Sequence, residues 1–119
     1  VIRGSSVLIM GLTYEENVPD IRESPVEEMV KELKDFGINV YGYDPLLPDS
    51  IIEKFGAIPL PALDKKVDAI IVAVAHDAFR TMDIAYIRNL MNARPVLIDV
   101  RGMIDRTTAE MCGLSYSRL

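Results

Sequence analysis

Short apolar runs recur along the chain at regular intervals, and more polar segments separate them. These runs cover residues 5–11, 38–44, 67–74 and 94–100. The last two are apolar at almost every position, which is typical of strands that are covered on both faces of a parallel sheet. The pattern therefore predicts four buried β-strands.

The segments between these runs show helical periodicity. The clearest helix begins at Ser24 and Pro25, where Ser24 suits the cap, Pro25 suits the first helical position and Glu27 completes a capping box. Apolar side chains then form one stripe at Val26, Met29, Val30 and Leu33. Gly37 ends this helix. Further helices are predicted over residues 49–55, 62–68, 84–92 and 107–112, and the segment IPLPAL between two of them is interpreted as a connection.

Strands that alternate with helices predict right-handed crossovers and a parallel sheet. We therefore expect a Rossmann-like α/β fold, with three layers and a mostly parallel sheet, formed by residues 1–119 as a single domain. Ligands of such sheets bind beyond the carboxyl ends of the strands. Those ends carry GLTY at 11–14, DP at 44–45, AHD at 75–77 and DVRG at 99–102. We expect the functional residues on this one rim.

Composition and charge narrow the classes of partner. The 119 residues include 13 Lys and Arg against 18 Asp and Glu, a net charge of −5. Nucleic-acid binding is not expected, because its affinity comes largely from cations that neutralise phosphates. Two or three local arginines can still bind a small anion. Residues 69–75, the longest apolar run, are too few to cross a membrane, and no signal-peptide pattern opens the chain. With a single cysteine, these features predict a cytoplasmic protein.

The connection after the first strand is unusual for a nucleotide-binding α/β domain. A glycine-rich turn normally lets backbone N–H groups approach a pyrophosphate there. Here the sequence is GLTYEENVPDIRESP, residues 11–25, and Gly11 is its single glycine. We therefore do not expect the main dinucleotide site in this chain. No spacing of His, Cys and carboxylate residues predicts a metal site either.

This connection resembles the start of the C-terminal, UDP-binding domain of the UDP-glucose/GDP-mannose dehydrogenase family. The similarity continues through PVEEMVKELKDFG, VYGYDP, VAVAHDAF and IDVRGM to the terminal SYSRL, so it covers nearly the whole chain. The motifs ENVPD and AHxxF are most similar to the branch that acts on UDP-N-acetylhexosamines. The resemblance implies an oxidoreductase that converts the C6 alcohol of a UDP-sugar to a carboxylate with two NAD.

The resemblance also implies that this chain is a fragment of a longer dehydrogenase, which agrees with the missing initiator methionine. The N-terminal domain of the parent chain would hold the glycine-rich NAD site and a nucleophilic cysteine. This domain would close over the UDP-sugar. We expect the parent to be a homo-oligomer without a membrane partner, and the isolated fragment to be inactive.

The family pattern implies roles for four residues. Tyr14 and Glu15 match an aromatic–lysine pair that contacts the nucleotide sugar, and Glu15 departs from the pattern because the family usually has Lys there. Arg101 matches a basic residue of the sugar-nucleotide pocket. Arg22 matches an arginine that approaches the NAD on the other domain, and a guanidinium suits bidentate contacts to phosphate. Tyr14 packed on its own loop and a solvated Glu15 are the alternatives.

The two arginines also have structural alternatives. Arg22 could form a local ion pair with Asp20, and Arg101 could pair with Asp99 or Asp105 at the edge of the sheet. Such pairs contribute little when they are exposed. The sequence leaves both interpretations of each arginine open.

Two further residues are tempting as catalysts. His76 is the single histidine, and a general base would need an oriented partner. The family resemblance implies a structural or domain-contact position for it. Cys112 lies near the last helical turn with no histidine nearby in sequence, so we interpret it as a core-filling side chain. The chain is not expected to supply a catalytic residue of its own.

Two other functions remain open at this point. The same rim could serve a stand-alone nucleotide-binding module without catalysis, which a gene that does not continue upstream would favour. A phosphoacceptor receiver domain has a similar α/β layout and an acidic pair such as Glu15 and Glu16 after its first strand. Receivers also need an Asp after strand three and a Lys after strand five, and this sequence has VAVAHD and no such Lys.

Overall fold

The computed structural model describes residues 3–118, and its centre is a six-stranded parallel sheet. The strands are β1 (Ser6–Met10), β2 (Asn39–Tyr43), β3 (Ile58–Pro59), β4 (Val67–Val72), β5 (Met91–Asp99) and β6 (Ser115–Arg118). The helices are α1 (Val26–Asp35), α2 (Asp49–Lys54), α3 (Asp77–Arg80), α4 (Ile84–Asn89) and α5 (Arg106–Met111). The predicted Rossmann-like α/β class with a parallel sheet is confirmed.

Helices cover both faces of the sheet, so two buried clusters form. Along β1, Val7 and Ile9 pack with α1 and α2, whereas Leu8 and Met10 belong to the cluster that includes residues of α3, α4 and α5. This alternation follows from the two-residue repeat of a strand. All four side chains are essentially inaccessible to solvent, and each such burial contributes about 1.5–3 kcal/mol. The β1 strand therefore lies at the centre of both clusters.

The long helix α1 buries the predicted apolar stripe, with Val26 and Val30 inaccessible to solvent. Its start differs in one detail from the predicted capping box. The Ser24 hydroxyl does accept a hydrogen bond from the Val26 N–H, at 3.3 Å. The reciprocal bond from Glu27 is not formed, because the Ser24 N–H donates to the carbonyl of Ile21 instead. Ser24 thus accepts a helix N–H as predicted, but the helix begins at Val26 with Pro25 in the capping position, and the predicted role of Glu27 was wrong.

The structure differs from the sequence prediction mainly in short elements. The predicted helix at 62–68 is wrong: the chain turns at Leu63, whose φ is 49°, and β4 begins at Val67 because that residue pairs with Met91 of β5. The strands β3 and β6 and the short helix α3 were missed. Pro59 is tolerated in β3 because β3 lies at the edge of the sheet, where no further strand requires an N–H.

The strand order is β3-β2-β1-β4-β5-β6. This is the order of dinucleotide-binding folds, whereas receiver domains have the order 2-1-3-4-5. The chain progresses outward from β1 through β2 to β3 on one side, and from β4 to β6 on the other. The loops after β1 and β4 therefore diverge from two neighbouring strands, which creates the crevice where such sheets bind ligands.

Candidate functional site

The loop after β1, residues 11–25, folds back on itself at the crevice. The Tyr14 N–H donates to the carbonyl of Asp20 at 2.8 Å, which closes the loop across its middle. The Ser24 hydroxyl donates to the carbonyl of Leu12 at 2.9 Å, which ties the end of the loop to its beginning. The loop is therefore a closed structure that presents its side chains from fixed backbone positions.

A buried polar cluster lies beneath this loop and joins three strand ends. The Asp44 carboxylate accepts the backbone N–H of Leu12 at 2.8 Å and that of Leu46 at 2.9 Å. His76 Nε2 lies 3.0 Å from Asp44 Oδ2 and 3.4 Å from the Thr13 hydroxyl oxygen. All three side chains are almost fully buried. Asp44 does terminate its strand as predicted, and it also anchors the start of the β1 loop.

The other nitrogen of His76 holds the middle of the loop. His76 Nδ1 accepts the backbone N–H of Asn17 at 2.9 Å. Asn17 has a φ of 62°, a conformation that asparagine tolerates better than most residues. Its side-chain oxygen accepts the N–H of Asp77 at 2.8 Å, at the start of α3. Both ring nitrogens of His76 thus have protein partners, which agrees with a structural residue and leaves no nitrogen to act as a general base.

Three of the predicted site residues line one groove on the loop. Tyr14, Glu15 and Arg22 border it, and its volume is about 480 Å³. The remaining lining residues are Val18, Asp20 and Glu23. The Tyr14 side chain is exposed rather than packed away, at 44%. The groove therefore combines an accessible aromatic ring with one guanidinium and three carboxylates.

Arg22 makes the local ion pair that the sequence offered as an alternative. Its Nε and Nη2 donate to the two oxygens of Asp20 at 3.0 and 2.9 Å. The hydrogen bond from the Arg22 side chain, and then that from its backbone N–H, lower the pKa of Asp20 to about 2. The Arg22 side chain is nevertheless 87% exposed. Its guanidinium is held in a defined orientation at the mouth of the groove.

Arg101 lies beside Tyr14 and not beside either of its candidate carboxylates. Its Nη2 is 3.4 Å from the carbonyl oxygen of Tyr14, and its Nε is 3.4 Å from that of Ala73. Within residues 3–118, no carboxylate forms an ion pair with Arg101. Asp105 instead caps α5 by accepting the N–H of Thr108 at 3.0 Å. Arg101 and Tyr14 thus come together although they are 87 residues apart in the sequence.

A second buried cluster fixes the turn that carries Arg101. The Asp99 carboxylate is fully buried and accepts the N–H groups of Met103 at 3.1 Å and Ile104 at 2.7 Å. The Tyr116 hydroxyl donates to the same carboxylate at 2.5 Å. Burial, and then the hydrogen bond to Asp99, raise the pKa of Tyr116. This cluster was not predicted from the sequence, because Tyr116 lies on β6, a strand that the apolar pattern did not indicate.

Cys112 follows the end of α5 and is half-buried. Since helices run antiparallel to the strands in this fold, that end of α5 lies at the amino edge of the sheet, away from the crevice.

Residues 3–118 contain no group of three or more His, Cys, Asp or Glu side chains arranged to hold a metal ion. Across the same range, every helix is too short or too polar to cross a membrane.

Comparison with known proteins gives this site a context. Residues 8–106 match the UDP-binding domain of the UDP-glucose/GDP-mannose dehydrogenase family. The chain is 35% identical over 112 residues to a UDP-N-acetyl-D-glucosamine 6-dehydrogenase of Pseudomonas aeruginosa, with 92% of this chain and 26% of that protein covered. It is 38% identical over 102 residues to the protein of the same name from Salmonella typhi, with 84% and 24% covered.

A solved structure shows the same fold. The crystal structure of an NDP-N-acetyl-D-galactosaminuronic acid dehydrogenase from Methanosarcina mazei Go1 superposes with a TM-score of 0.83 at 24% identity. The match covers 98% of this chain and 24% of that one. The chain therefore spans about a quarter of the length of each of these proteins.

Proposed function

We propose that the rim of this domain binds the UDP-sugar substrate of a dehydrogenase. The premise is that the chain belongs to the UDP-glucose/GDP-mannose dehydrogenase family, whose UDP-binding domain it matches. The parent protein would oxidise the C6 alcohol of a UDP-N-acetylhexosamine to a carboxylate. Two NAD would accept the two hydrides in succession, and a water molecule would supply the second oxygen of the carboxylate. The N-terminal domain of the parent would supply the nucleophilic cysteine and the main NAD site.

The observation that carries this proposal is the position of Arg101 beside Tyr14 at the crevice. The guanidinium contacts the backbone carbonyls of Tyr14 and Ala73 at 3.4 Å, and no carboxylate of residues 3–118 neutralises it. Its remaining N–H donors are available for the oxygens of a diphosphate. The exposed ring of Tyr14 offers a flat surface for stacking and a hydroxyl for a hydrogen bond.

The carboxylates of the groove restrict how the ligand lies. Glu15, Asp20 and Glu23 would repel a diphosphate placed among them, and Asp20 already neutralises Arg22. We therefore assign the diphosphate to the side of Arg101. Glu15 would face the hydroxyl groups of the ligand, because a carboxylate accepts hydrogen bonds and cannot donate them.

The same residues do not form a complete NAD site, so the cofactor is assigned to the parent's other domain. Gly11, the single glycine of the loop, has its Cβ position filled by Val74, at 2.8 Å from that side chain's Cβ. The backbone there is packed against protein and does not leave space for a pyrophosphate. Arg22 is exposed at the mouth of the groove, and its N–H groups that do not bind Asp20 are assigned to contact NAD, whose phosphates are held by the other domain.

The test is an activity assay on the protein at the length that its gene encodes. Purified protein is mixed with NAD and either UDP-N-acetylglucosamine, UDP-N-acetylmannosamine or UDP-glucose, and NADH formation is followed by absorbance. We expect NAD reduction with a UDP-N-acetylhexosamine, two NADH for each sugar oxidised. A protein that binds UDP yet reduces no NAD with any of the three would contradict the proposed enzyme and would favour a binding module.

A further inference from the structure

We propose that His76 is a positioning residue for the loop that carries Tyr14, through a hydrogen bond accepted by its Nδ1 atom. This inference rests on the proposed function of Tyr14 and Arg101 in binding UDP. His76 does not contact the ligand in this account. It sets the fraction of time for which the loop is in its binding conformation.

The imidazole ring contacts the loop on both sides of Tyr14. On one side the Thr13 hydroxyl oxygen lies 3.4 Å from Nε2, and on the other side the Asn17 N–H donates to Nδ1 at 2.9 Å. The ring itself is fixed from below by Asp44, 3.0 Å from Nε2, and by the ring of Phe79, whose centroid is 5.2 Å away. The loop is thereby attached to a buried imidazole ring that has partners of its own.

The partners also define which nitrogen carries the proton. The Asn17 N–H can donate only to an Nδ1 that carries no proton. The Asp44 carboxylate can only accept a hydrogen bond, so Nε2 must carry a proton to donate to it. His76 is therefore the neutral tautomer with the proton on Nε2. A replacement must accept at the first position to hold the loop, and donate at the second to satisfy the carboxylate.

Two amide side chains separate these contacts. The amide of asparagine overlaps the Nδ1 position of a histidine, so His76→Asn keeps an acceptor for the Asn17 N–H and loses the contact to Asp44. The longer glutamine reaches the Nε2 position, so His76→Gln keeps a donor to Asp44 and loses the acceptor for Asn17. Both variants lose the packing of the ring against Phe79, so they form a matched pair.

The expected effect on binding follows from the population of the held loop. When a variant lowers the binding-competent fraction, the apparent dissociation constant rises in proportion. The Asn17 side chain still accepts the Asp77 N–H at 2.8 Å, so the loop keeps a second attachment. Loss of one hydrogen bond should then weaken binding by about three-fold to ten-fold.

The experiment compares both variants with the wild type at the length that the gene encodes. It measures the dissociation constant for UDP by calorimetry, the melting temperature, and hydrogen exchange in the peptide that covers residues 12–20. We expect both variants to melt at a lower temperature. His76→Gln should bind UDP about three-fold to ten-fold more weakly than the wild type, and its residues 12–20 should exchange faster. His76→Asn should keep both the UDP affinity and the exchange rate near those of the wild type.

Equal UDP affinity and equal exchange in the two variants would overturn the inference, because a purely structural histidine would not distinguish them. A wild type that fails to bind UDP would instead refute the proposed function. In that case the exchange of residues 12–20 still decides whether Nδ1 holds the loop. The two failures are thus distinguishable.

Discussion

Removal of the Tyr116 hydroxyl is expected to destabilise the fold by loosening the turn that carries Arg101. In Tyr116→Phe, the buried Asp99 carboxylate loses its donor at 2.5 Å and keeps the N–H groups of Met103 and Ile104. A hydrogen bond to a charged group contributes about 1.5–3 kcal/mol, so we expect that loss in the free energy of unfolding. The melting temperature should fall by roughly 4 °C for each kcal/mol in a domain of this size.

The dependence of this effect on pH is fixed by the raised pKa of Tyr116, which lies above its usual value of 10.0. A group whose pKa is raised by folding stabilises the protein fully below its unfolded pKa and loses that contribution as the pH rises through the folded pKa. The difference between wild type and Tyr116→Phe should therefore be constant near neutral pH. It should shrink as the pH rises above about 10.

Urea unfolding of the wild type and the variant at pH 7 and above pH 10 measures both effects. Tyr86→Phe is the control, because Tyr86 is 45% exposed and its hydroxyl makes no hydrogen bond with residues 3–118. We expect the control to change the free energy of unfolding by less than about 0.5 kcal/mol. If Tyr116→Phe changed stability as little as the control, the account of the Asp99 cluster would be refuted.

Three further predictions concern Gly11 at the end of β1, the Asp68 carboxylate and the contact to the cofactor. Gly11→Ala places a Cβ 2.8 Å from the Cβ of Val74 at a φ of +92°, whereas Gly4→Ala, the control, has a similar φ of +89° and open space around it. Urea unfolding should show Gly11→Ala to be about 1–3 kcal/mol more destabilising than Gly4→Ala. Equal losses of stability would contradict the packing at Gly11. The hydrogen bond from the Ser6 N–H, and then the one from the Asn92 side chain, lower the pKa of Asp68 from its usual 3.8. The contribution of Asp68 to stability is therefore present above pH 3.8 and is lost as the pH falls through the pKa of the folded state. Melting curves of Asp68→Asn should lack this acid-side loss, and an unchanged pH profile would count against it. Arg22→Lys keeps the positive charge and loses the planar, two-pronged donor set of the guanidinium. In the gene-length enzyme, the KM for NAD should therefore rise about ten-fold while the KM for the UDP-sugar stays the same. An unaltered KM for NAD would exclude the contact between Arg22 and the cofactor.

The sequence predicted the fold well where the apolar pattern was long and failed where it was short. The four main strands were placed within a few residues, because their apolar runs report burial on both faces of the sheet. The segment 62–68 was predicted as a helix because its residues favour one. In the structure, the pairing of β4 with β5 starts at Val67, and this long-range contact decides the local conformation. The strand β6 was missed because its buried residue, Tyr116, owes its position to a carboxylate on another strand.

The candidate site shows the same division. The rim was predictable because parallel strands place their carboxyl ends together, and Tyr14, Glu15 and Arg22 do line one groove there. The Asp20 partner of Arg22 was predictable because it is two residues away. The contact between His76 and Asn17 was not, since 59 residues separate them and only the completed sheet brings them within 2.9 Å. The positive φ of Asn17 gives no signal in a single sequence beyond the residue type.

The proposed function depends on Arg101, which lies beside Tyr14 and is assigned to bind the diphosphate of a UDP-sugar. Calorimetric titration of UDP into the gene-length protein, its Arg101→Ala variant and an Arg94→Ala control tests it most directly. Arg94 is an exposed arginine in the amino-terminal half of β5, so its removal changes the net charge equally without altering the rim. We expect saturable UDP binding, about ten-fold or more weaker in Arg101→Ala and unchanged in Arg94→Ala. Equal affinity in all three proteins, or no binding by the wild type, would contradict it.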